Sequence, residues 1–280
     1  MSETMVMAGG KMSDELKQSN TITRTALITG ASSGIGYELC KQFAQDHISV
    51  VMVARNESRL KEVGNELERD YGISVTLIPI DLSAPNAANQ LHSKVQEKGL
   101  SIDYLVNNAG IGFYGPFCES DPNANLEMIN LNVLALVQLT RLFLPAMIKQ
   151  GHGRILNVAS VAAYQPGGPG AAVYYASKTF VLSFNRGLSV ELKGSGVTTT
   201  ALCPGAMNTG FQIKGGFSQT RLYRYLTTDP KTNAKQGYCA MQRGKAAVVP
   251  GIISKLLAIA GELPPRRIAL LTNKFLLGRS

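Results

Sequence analysis

The sequence contains no tryptophan and only four cysteines in 280 residues. Cys40, Cys118, Cys203 and Cys239 lie far apart, and none of them forms a Cys-x-x-Cys pair. So few, widely spaced cysteines exclude a disulfide scaffold and are typical of reduced thiols in a cytoplasmic protein. We therefore expect a cytoplasmic protein without a metal site.

Charged residues are also scarce, at 17%, whereas hydrophobic residues make up 45%. This balance excludes a disordered chain, and 28 glycines without a repeating period exclude a collagen-like one. No run approaches the 18 apolar residues that a transmembrane helix needs, so we expect none. Residues 1–20 are polar, which argues against a signal peptide and predicts a flexible N-terminal leader.

Acidic residues are nearly missing from the last quarter of the chain. Residues 214–280 contain twelve lysines and arginines but only Asp229 and Glu262 as acids, within a net charge of +9 for the whole sequence. A basic surface attracts nucleic acid, anionic lipid or anionic small molecules, although it also serves simply to solubilise a protein. We expect no nucleic-acid partner and a weak contact with an anionic membrane at most.

Short apolar runs alternate with helical patterns from Thr25 to about residue 204. This alternation predicts an α/β fold, a single doubly wound Rossmann-type domain over 21–280 with a parallel sheet and helices on both faces. Residues 205–228 lose the pattern and are predicted to form a mobile substrate loop or lid. Residues 229–280 are predicted to form a basic helical segment, interrupted at Pro264-Pro265.

The first predicted strand runs into a glycine-rich turn, Thr29-Gly30-Ala31-Ser32-Ser33-Gly34-Ile35-Gly36, and a helical pattern follows. Glycines at such a turn let the backbone approach a pyrophosphate, and the helix N-terminus offers free N–H groups to it. The turn therefore predicts a nucleotide site.

The spacing of this turn, Thr-Gly-x-x-x-Gly-x-Gly, resembles that of the short-chain dehydrogenase/reductase family, of the NADP-preferring type. Five further motifs of that family follow in the expected order between Thr25 and Phe211. They are Asn107-Asn108-Ala109-Gly110, Asn132, Ser160, Tyr174-x-x-x-Lys178, and Pro204-Gly205 with Thr209.

The resemblance implies that Asn132, Ser160, Tyr174 and Lys178 are catalytic. Tyr174 and Lys178 share a helix face, and a nearby ammonium lowers the pKa of a phenol. Tyr174 is thus predicted to be the general acid or base, with Ser160 hydrogen-bonded to the substrate oxygen. Asn132 would hold a water linking Lys178 to solvent, or else would only satisfy backbone groups.

The predicted cofactor is NADP(H). Ala54 stands where an NAD enzyme usually has an acid, and Arg55 can pair with a 2′-phosphate, unless it only caps a helix and faces solvent. Asp81 is expected to contact the adenine or to cap a helix. The predicted cofactor-binding residues are Gly30, Ser32, Ser33, Gly34, Ile35, Gly36, Arg55, Asp81, Leu82, Asn108, Ala109, Gly110, Tyr174, Lys178, Pro204, Gly205 and Thr209.

The substrate pocket is expected between Gly110–Phe117, Ser160–Pro169 and residues 205–228. These stretches contain Phe113, Tyr114, Phe117, Phe211, Phe217, Leu222, Tyr223 and Tyr225, which suit an apolar carbonyl compound or secondary alcohol, although any one of them can instead belong to the core. The predicted protein is an NADPH-dependent oxidoreductase, as a homodimer or homotetramer. The alternatives are an NADP(H)-binding regulatory protein and a lipid or acyl reductase at a membrane surface, guided there by its Leu-rich, basic C-terminal helices. For these helices we expect first packing or an oligomer interface and second a membrane contact, unless they cover the active site.

Overall fold

A computed structural model of the chain describes residues 24–263 and 265–278. The predicted leader, residues 1–20, lies outside the described residues.

Seven parallel strands form one sheet in the order β3-β2-β1-β4-β5-β6-β7. The strands are runs of β-branched and aliphatic residues without polar alternation, as expected where both faces of a sheet are covered. Their bounds are β1 Thr25–Thr29, β2 Ser49–Ala54, β3 Val75–Pro79, β4 Tyr104–Asn107, β5 Gly153–Val158, β6 Val197–Leu202 and β7 Ala247–Val248.

Helices cover both faces of this sheet, which confirms the predicted fold class. One core lies under α1, α2 and α9, and the other under α3, α5 and α6. The helix bounds are α1 Gly34–Gln45, α2 Glu57–Tyr71, α3 Ala87–Glu97, α4 Pro122–Ile129, α5 Leu136–Gln150, α6 Ala172–Glu191, α7 Gly210–Lys214, α8 Arg221–Tyr225, α9 Pro230–Gln242, α10 Ile252–Glu262 and α11 Arg266–Leu277.

The strand order reverses between β1 and β4, which are neighbours in the middle of the sheet. In open α/β sheets, ligands bind beyond the carboxyl ends of the strands at this point. The glycine-rich turn leaves β1 there, and Asn108 follows β4 directly.

The chain from Pro122 to Gln150 is one continuous helical stretch. It contains a π-helical segment, Asn130–Ala135, of the kind often found at functional sites. By length and composition alone this stretch could also cross a membrane, whereas no transmembrane helix was expected from the sequence. In the fold α5 packs on β4, β5 and α3, and the core helix of a globular protein meets the same criterion.

Residues 205–228, predicted to lack regular structure, instead form α7, a 3₁₀ turn at Phe217–Gln219, and α8. Helices α7 and α8 have five residues each, too few to show a hydrophobic periodicity in the sequence. Their capping residues mark where they begin. Thr209 and Gln212 form a capping box on α7, and Thr220 caps α8. Asp229 caps α9, and the break between α10 and α11 agrees with the predicted interruption of the C-terminal helical segment.

Candidate active site

A cavity of about 530 Å³ runs along the carboxyl ends of β1 to β6. Of the residues predicted from the sequence to bind a cofactor or to act in catalysis, all but Gly36 and Asn132 line it. The fold therefore brings the glycine turn, the segment after β4, Ser160 and the Tyr174–Lys178 helix face to one place.

The glycine turn has the backbone geometry that its sequence predicts. Gly30 and Gly34 have φ angles of 66° and 57°, a left-handed region that glycine enters without strain. Ser33 is the N-cap of α1, but its side chain makes no capping hydrogen bond. The first N–H groups of α1 are thus left without the usual side-chain acceptor, as an anion site at a helix N-terminus requires.

Gly36 does not line the cavity, although it was predicted to bind the cofactor. A Cβ atom on Gly36 would lie 2.2 Å from the carbonyl oxygen of Gly30 and 2.5 Å from Nδ2 of Asn108. Nδ2 of Asn108 in turn donates to the carbonyl oxygens of Thr29 and Gly30, at 2.8 and 3.2 Å. Gly36 and Asn108 hold the turn against the end of β1, and a direct contact of Gly36 with the cofactor stays a prediction.

Ser160, Tyr174 and Lys178 meet on one wall of the cavity. Ser160 lies two residues after the end of β5 and is hydrogen-bonded to the Tyr174 side chain, and its Oγ accepts from the Ala162 N–H at 3.1 Å. Nζ of Lys178 donates to the Val158 carbonyl at 3.0 Å and lies 5.9 Å from the centre of the Tyr174 ring. The phenol, the hydroxyl and the amine are therefore neighbours, as a proton-transfer site requires.

The pKa of Tyr174 was expected to be lowered by Lys178, but the side chains around Tyr174 do not lower it below its ordinary value. Burial raises the pKa of Tyr174 to about 12, and the hydrogen bond with Ser160 offsets this only in part. Burial also lowers the pKa of Lys178 to about 8, because a charged amine is costly to enclose. Desolvation, which cannot be read from the sequence, is the largest influence on the pKa of both groups.

The lowered pKa of Lys178 predicts a pH-dependent stability. Between about pH 8 and pH 10.5, the folded chain binds fewer protons at this amine than the unfolded chain. The contribution of Lys178 to the free energy of unfolding should therefore rise with pH across this window. This contribution is lost as the pH falls from 10.5 to 8, and below pH 8 the buried charge costs about 3 kcal/mol. Denaturant unfolding of the wild type and of Lys178→Met tests this, since the stability of the wild type relative to Lys178→Met should rise with pH.

The exposed Lys235 on α9 provides the control, because Lys235→Met should follow the wild-type pH profile. A stability difference between Lys178→Met and the wild type that does not change with pH would contradict the lowered pKa.

Asn132 lies in the π-helical segment and is buried. Its Oδ1 accepts from the Ile111 N–H at 2.9 Å, and its Nδ2 donates to the Ile111 carbonyl at 2.8 Å and to Oγ of Ser177 at 3.1 Å. Two roles were considered for Asn132, holding a water and hydrogen-bonding to backbone groups. The bonds to Ile111 agree with the second role. Asn132 positions the loop that follows Gly110, and its water-binding role stays a prediction.

Arg55 lies at the rim of the cavity beyond β2. Its Nη1 is 3.0 Å from Oε1 of Glu127 and 3.7 Å from Oδ2 of Asp81. Asn56, rather than Arg55, caps α2, and Asp81 accepts from Ser83 in a turn rather than capping α3. Arg55 is therefore not simply a capping residue that faces solvent, and Glu127 is a partner that the sequence did not reveal.

The far end of the cavity is apolar. The expected side chains Phe113, Phe211, Phe217, Leu222 and Tyr223 line it. Tyr114 packs behind this wall, whereas Phe117 and Tyr225 are exposed and do not line the cavity.

Leu277 on α11 also lines the cavity, together with Met207 and Lys214. None of these three was singled out from the sequence. The Tyr114 hydroxyl donates to the Leu277 carbonyl, which ties the C-terminal helix to the substrate end. A contact between residues so distant in sequence leaves no local pattern.

Comparison with known proteins shows which family the chain resembles. The family model described as "short chain dehydrogenase" matches residues 24–216. The ketoacyl reductase HetN of Nostoc is 31% identical over 252 residues, which cover 88% of this chain and 86% of HetN. A very-long-chain 3-oxoacyl-CoA reductase of Danio rerio is 32% identical over 68% of this chain. The chain spans only about 60% of the length of several curated relatives, this one included.

Solved structures show the same similarity. A short-chain dehydrogenase from Sphingobium yanoikuyae in complex with NADPH is 28% identical, with a TM-score of 0.75 over 89% of this chain and 96% of the other. A short chain dehydrogenase/reductase from Burkholderia phymatum in complex with NAD is 25% identical, with a TM-score of 0.76 over 84% of this chain and 92% of the other. Proteins similar to this one thus bind either nicotinamide dinucleotide.

Proposed function

The chain belongs to the short-chain dehydrogenase family, and on that premise we propose that it is an NADP(H)-dependent reductase of apolar carbonyl compounds. The observation that carries the proposal is the meeting of Ser160, Tyr174 and Lys178 between the glycine turn and the apolar end of one cavity. A cofactor bound along the turn and a substrate in the apolar end would adjoin the same three side chains.

The residues around the turn suit a nicotinamide dinucleotide. The uncapped N-terminus of α1 would receive the pyrophosphate, and Lys178 would reach the ribose next to the nicotinamide. Arg55 favours the phosphorylated form, because a guanidinium pairs well with a phosphate and no acid stands at Ala54. The NADPH complex of the Sphingobium relative agrees with this choice. A bound nicotinamide would supply the hydride.

The protein's own groups then handle the proton. Reduction of a carbonyl requires an acid that is protonated at neutral pH, and a Tyr174 pKa of about 12 keeps the phenol in that state. Tyr174 would give its proton to the substrate oxygen, while the Ser160 hydroxyl donates a hydrogen bond to the same oxygen as charge develops there. Lys178, mostly charged below pH 8, would stabilise the resulting phenolate.

The apolar end of the cavity suits a ketone, an aldehyde, a steroid-like compound or an acyl chain. The names of two relatives, a ketoacyl reductase and a 3-oxoacyl-CoA reductase, favour the acyl class among these. Lys214, a cation on the cavity wall, suits an acyl substrate with an anionic carrier. The cytoplasmic location and the homodimer or homotetramer stay predictions.

A panel of carbonyl compounds tests the proposal. Purified protein should oxidise NADPH in the presence of apolar ketones or 3-oxoacyl thioesters, as followed by the absorbance of the reduced nicotinamide. Ser160→Ala serves as a control for contaminating reductases and should be inactive. Binding of NADPH without turnover of any carbonyl compound or alcohol would instead favour a regulatory protein.

A further inference from the structure

Helix α10 exposes its apolar face to solvent. Ile252, Leu256, Ile259 and Leu263 are 77%, 62%, 56% and 58% exposed. Their spacing of four, three and four residues puts them on one side of the helix. The opposite side, which faces the protein, consists of the small residues Ser254, Ala258 and Gly261. This is the reverse of the pattern expected for a helix on the surface of a soluble domain.

Helix α11 has the same inverted arrangement. Ile268, Leu271 and Phe275 are all more than 60% exposed, at a spacing of three and four residues. Its inward side contains Asn273, whose Nδ2 donates to the Gly167 carbonyl at 2.6 Å, and Leu277, which lines the cavity. The helix is thus anchored by hydrogen bonds and by few buried apolar side chains, while its large apolar side chains other than Leu277 remain exposed.

The apolar exposure is concentrated in these two helices, which contact each other. Half of the large apolar side chains that are exposed in the described chain lie between residues 252 and 275. Single exposed apolar residues are ordinary on protein surfaces, whereas an accumulation of this kind marks an interaction surface. We call the exposed faces of α10 and α11 the C-terminal apolar surface.

The charges around this surface indicate what covers it. Residues 245–274 contain five cations but only one acid, Glu262, and this carboxylate pairs with Arg186 at 3.0 Å. Among the described residues, Lys255, Arg267 and Lys274 form no ion pair. A second copy of the chain docked through the same surface would bring these cations together, which is unfavourable. An anionic lipid bilayer accepts both the apolar side chains and the cations.

We propose that the C-terminal apolar surface lies on anionic membranes, with the leucines and isoleucines at the boundary of the acyl chains and the lysines and arginines among the headgroups. Helix α11, which forms part of this surface, also closes the substrate end of the cavity. Leu277 lines that end, and Nη1 of Arg221 on α8 donates to the Phe275 carbonyl at 3.0 Å. An apolar substrate dissolved in the bilayer would therefore enter beside α11, a consequence that rests on the proposed function.

Vesicle flotation of the full chain at physiological salt tests the membrane contact directly. The wild type should float with vesicles of phosphatidylcholine and phosphatidylserine, and less with phosphatidylcholine alone. Leu256→Glu combined with Leu271→Glu should weaken binding by about tenfold or more, since both side chains would leave the lipid. Val190→Glu changes an equally exposed apolar residue on α6 and should bind as the wild type does.

Thermal unfolding and reduction of a water-soluble ketone should be unchanged in all of these variants, because none of the three side chains lines the cavity. Loss of flotation with activity retained therefore supports the membrane surface independently of the reductase proposal. Absence of wild-type flotation, or flotation that the double variant retains, would overturn it. The proposal would also be overturned if the wild type did not bind vesicles but formed a lipid-free dimer, or bound an acidic protein, and Leu256→Glu abolished that association.

Discussion

Tyr174→Phe is expected to lower the rate of carbonyl reduction by about 10³-fold, because general acid catalysis by a positioned side chain contributes about 10²- to 10⁴-fold. The substitution removes one hydroxyl and leaves the ring, which packs against Phe211 and Phe217 at 5.6 and 5.8 Å between ring centres. The apolar wall should therefore persist. Steady-state kinetics with NADPH and a reducible ketone measure the loss, and a fluorescence titration should find NADPH affinity nearly unchanged.

The neighbouring Tyr175 provides a matched control. It lines the same cavity, and its ring centre lies 6.1 Å from that of Tyr174, yet its spacing to Lys178 differs by one residue. Tyr175→Phe should therefore reduce the carbonyl compound at a rate near that of the wild type. Retention of activity in Tyr174→Phe, or an equal loss in both variants, would remove Tyr174 from its role as the acid.

This prediction depends on a protonation state that the sequence alone does not display. Residue types and spacing suggest that Lys178 lowers the pKa of Tyr174, whereas burial raises it to about 12. The enclosed phenol is an acid at neutral pH, which suits reduction. Oxidation of an alcohol requires the phenolate, so for that direction we expect the rate to rise with pH more steeply than the rate of reduction does.

The fold was largely predictable because its signals are local. Strands such as Ser49–Ala54 are continuous β-branched runs, and the glycine turn marks the end of β1. The cofactor side of the site was largely predictable for the same reason, since the glycine turn, Asn108 and Pro204 follow the ends of β1, β4 and β6, and the parallel sheet places those strand ends along one edge.

The features that the sequence did not reveal are those that depend on distant or weak contacts. Leu277 reaches the cavity through the packing of α11, and Glu127 meets Arg55 across 72 residues. Gly36 and Asn132 carry recognisable motif positions, but hydrogen bonds and close packing direct both away from the cavity wall. The sequence motifs therefore located the site, whereas the structure was needed to identify the contacts of each side chain.

Arg55→Asp is expected to change the preferred cofactor. The guanidinium is half-exposed at the cavity rim, so a 2′-phosphate can reach it, and a hydrogen bond to a charged group contributes about 1.5–3 kcal/mol. Its loss, together with repulsion from a new carboxylate, should lower kcat/KM for NADPH relative to NADH by about 100-fold. Kinetics with both cofactors at a fixed carbonyl substrate give this ratio.

Arg69→Asp is the matched control, because Arg69 is an exposed arginine in the last turn of α2. It should leave the ratio unchanged, and Arg55→Lys should keep part of the NADPH preference as a point charge without the guanidinium fork. An unchanged ratio in Arg55→Asp would exclude Arg55 from the cofactor site.

The carboxylate of Glu127 sharpens this test, since at 3.0 Å from Nη1 of Arg55 it competes with any phosphate for the same guanidinium. Glu127→Gln keeps the size of the side chain and removes its charge, so NADPH should bind more tightly while NADH binding hardly changes. If Arg55 instead served only to join α4 to the rim, Glu127→Gln would lower stability and leave both affinities alike. The opposite responses expected from Arg55→Asp and Glu127→Gln therefore separate phosphate recognition from a structural ion pair.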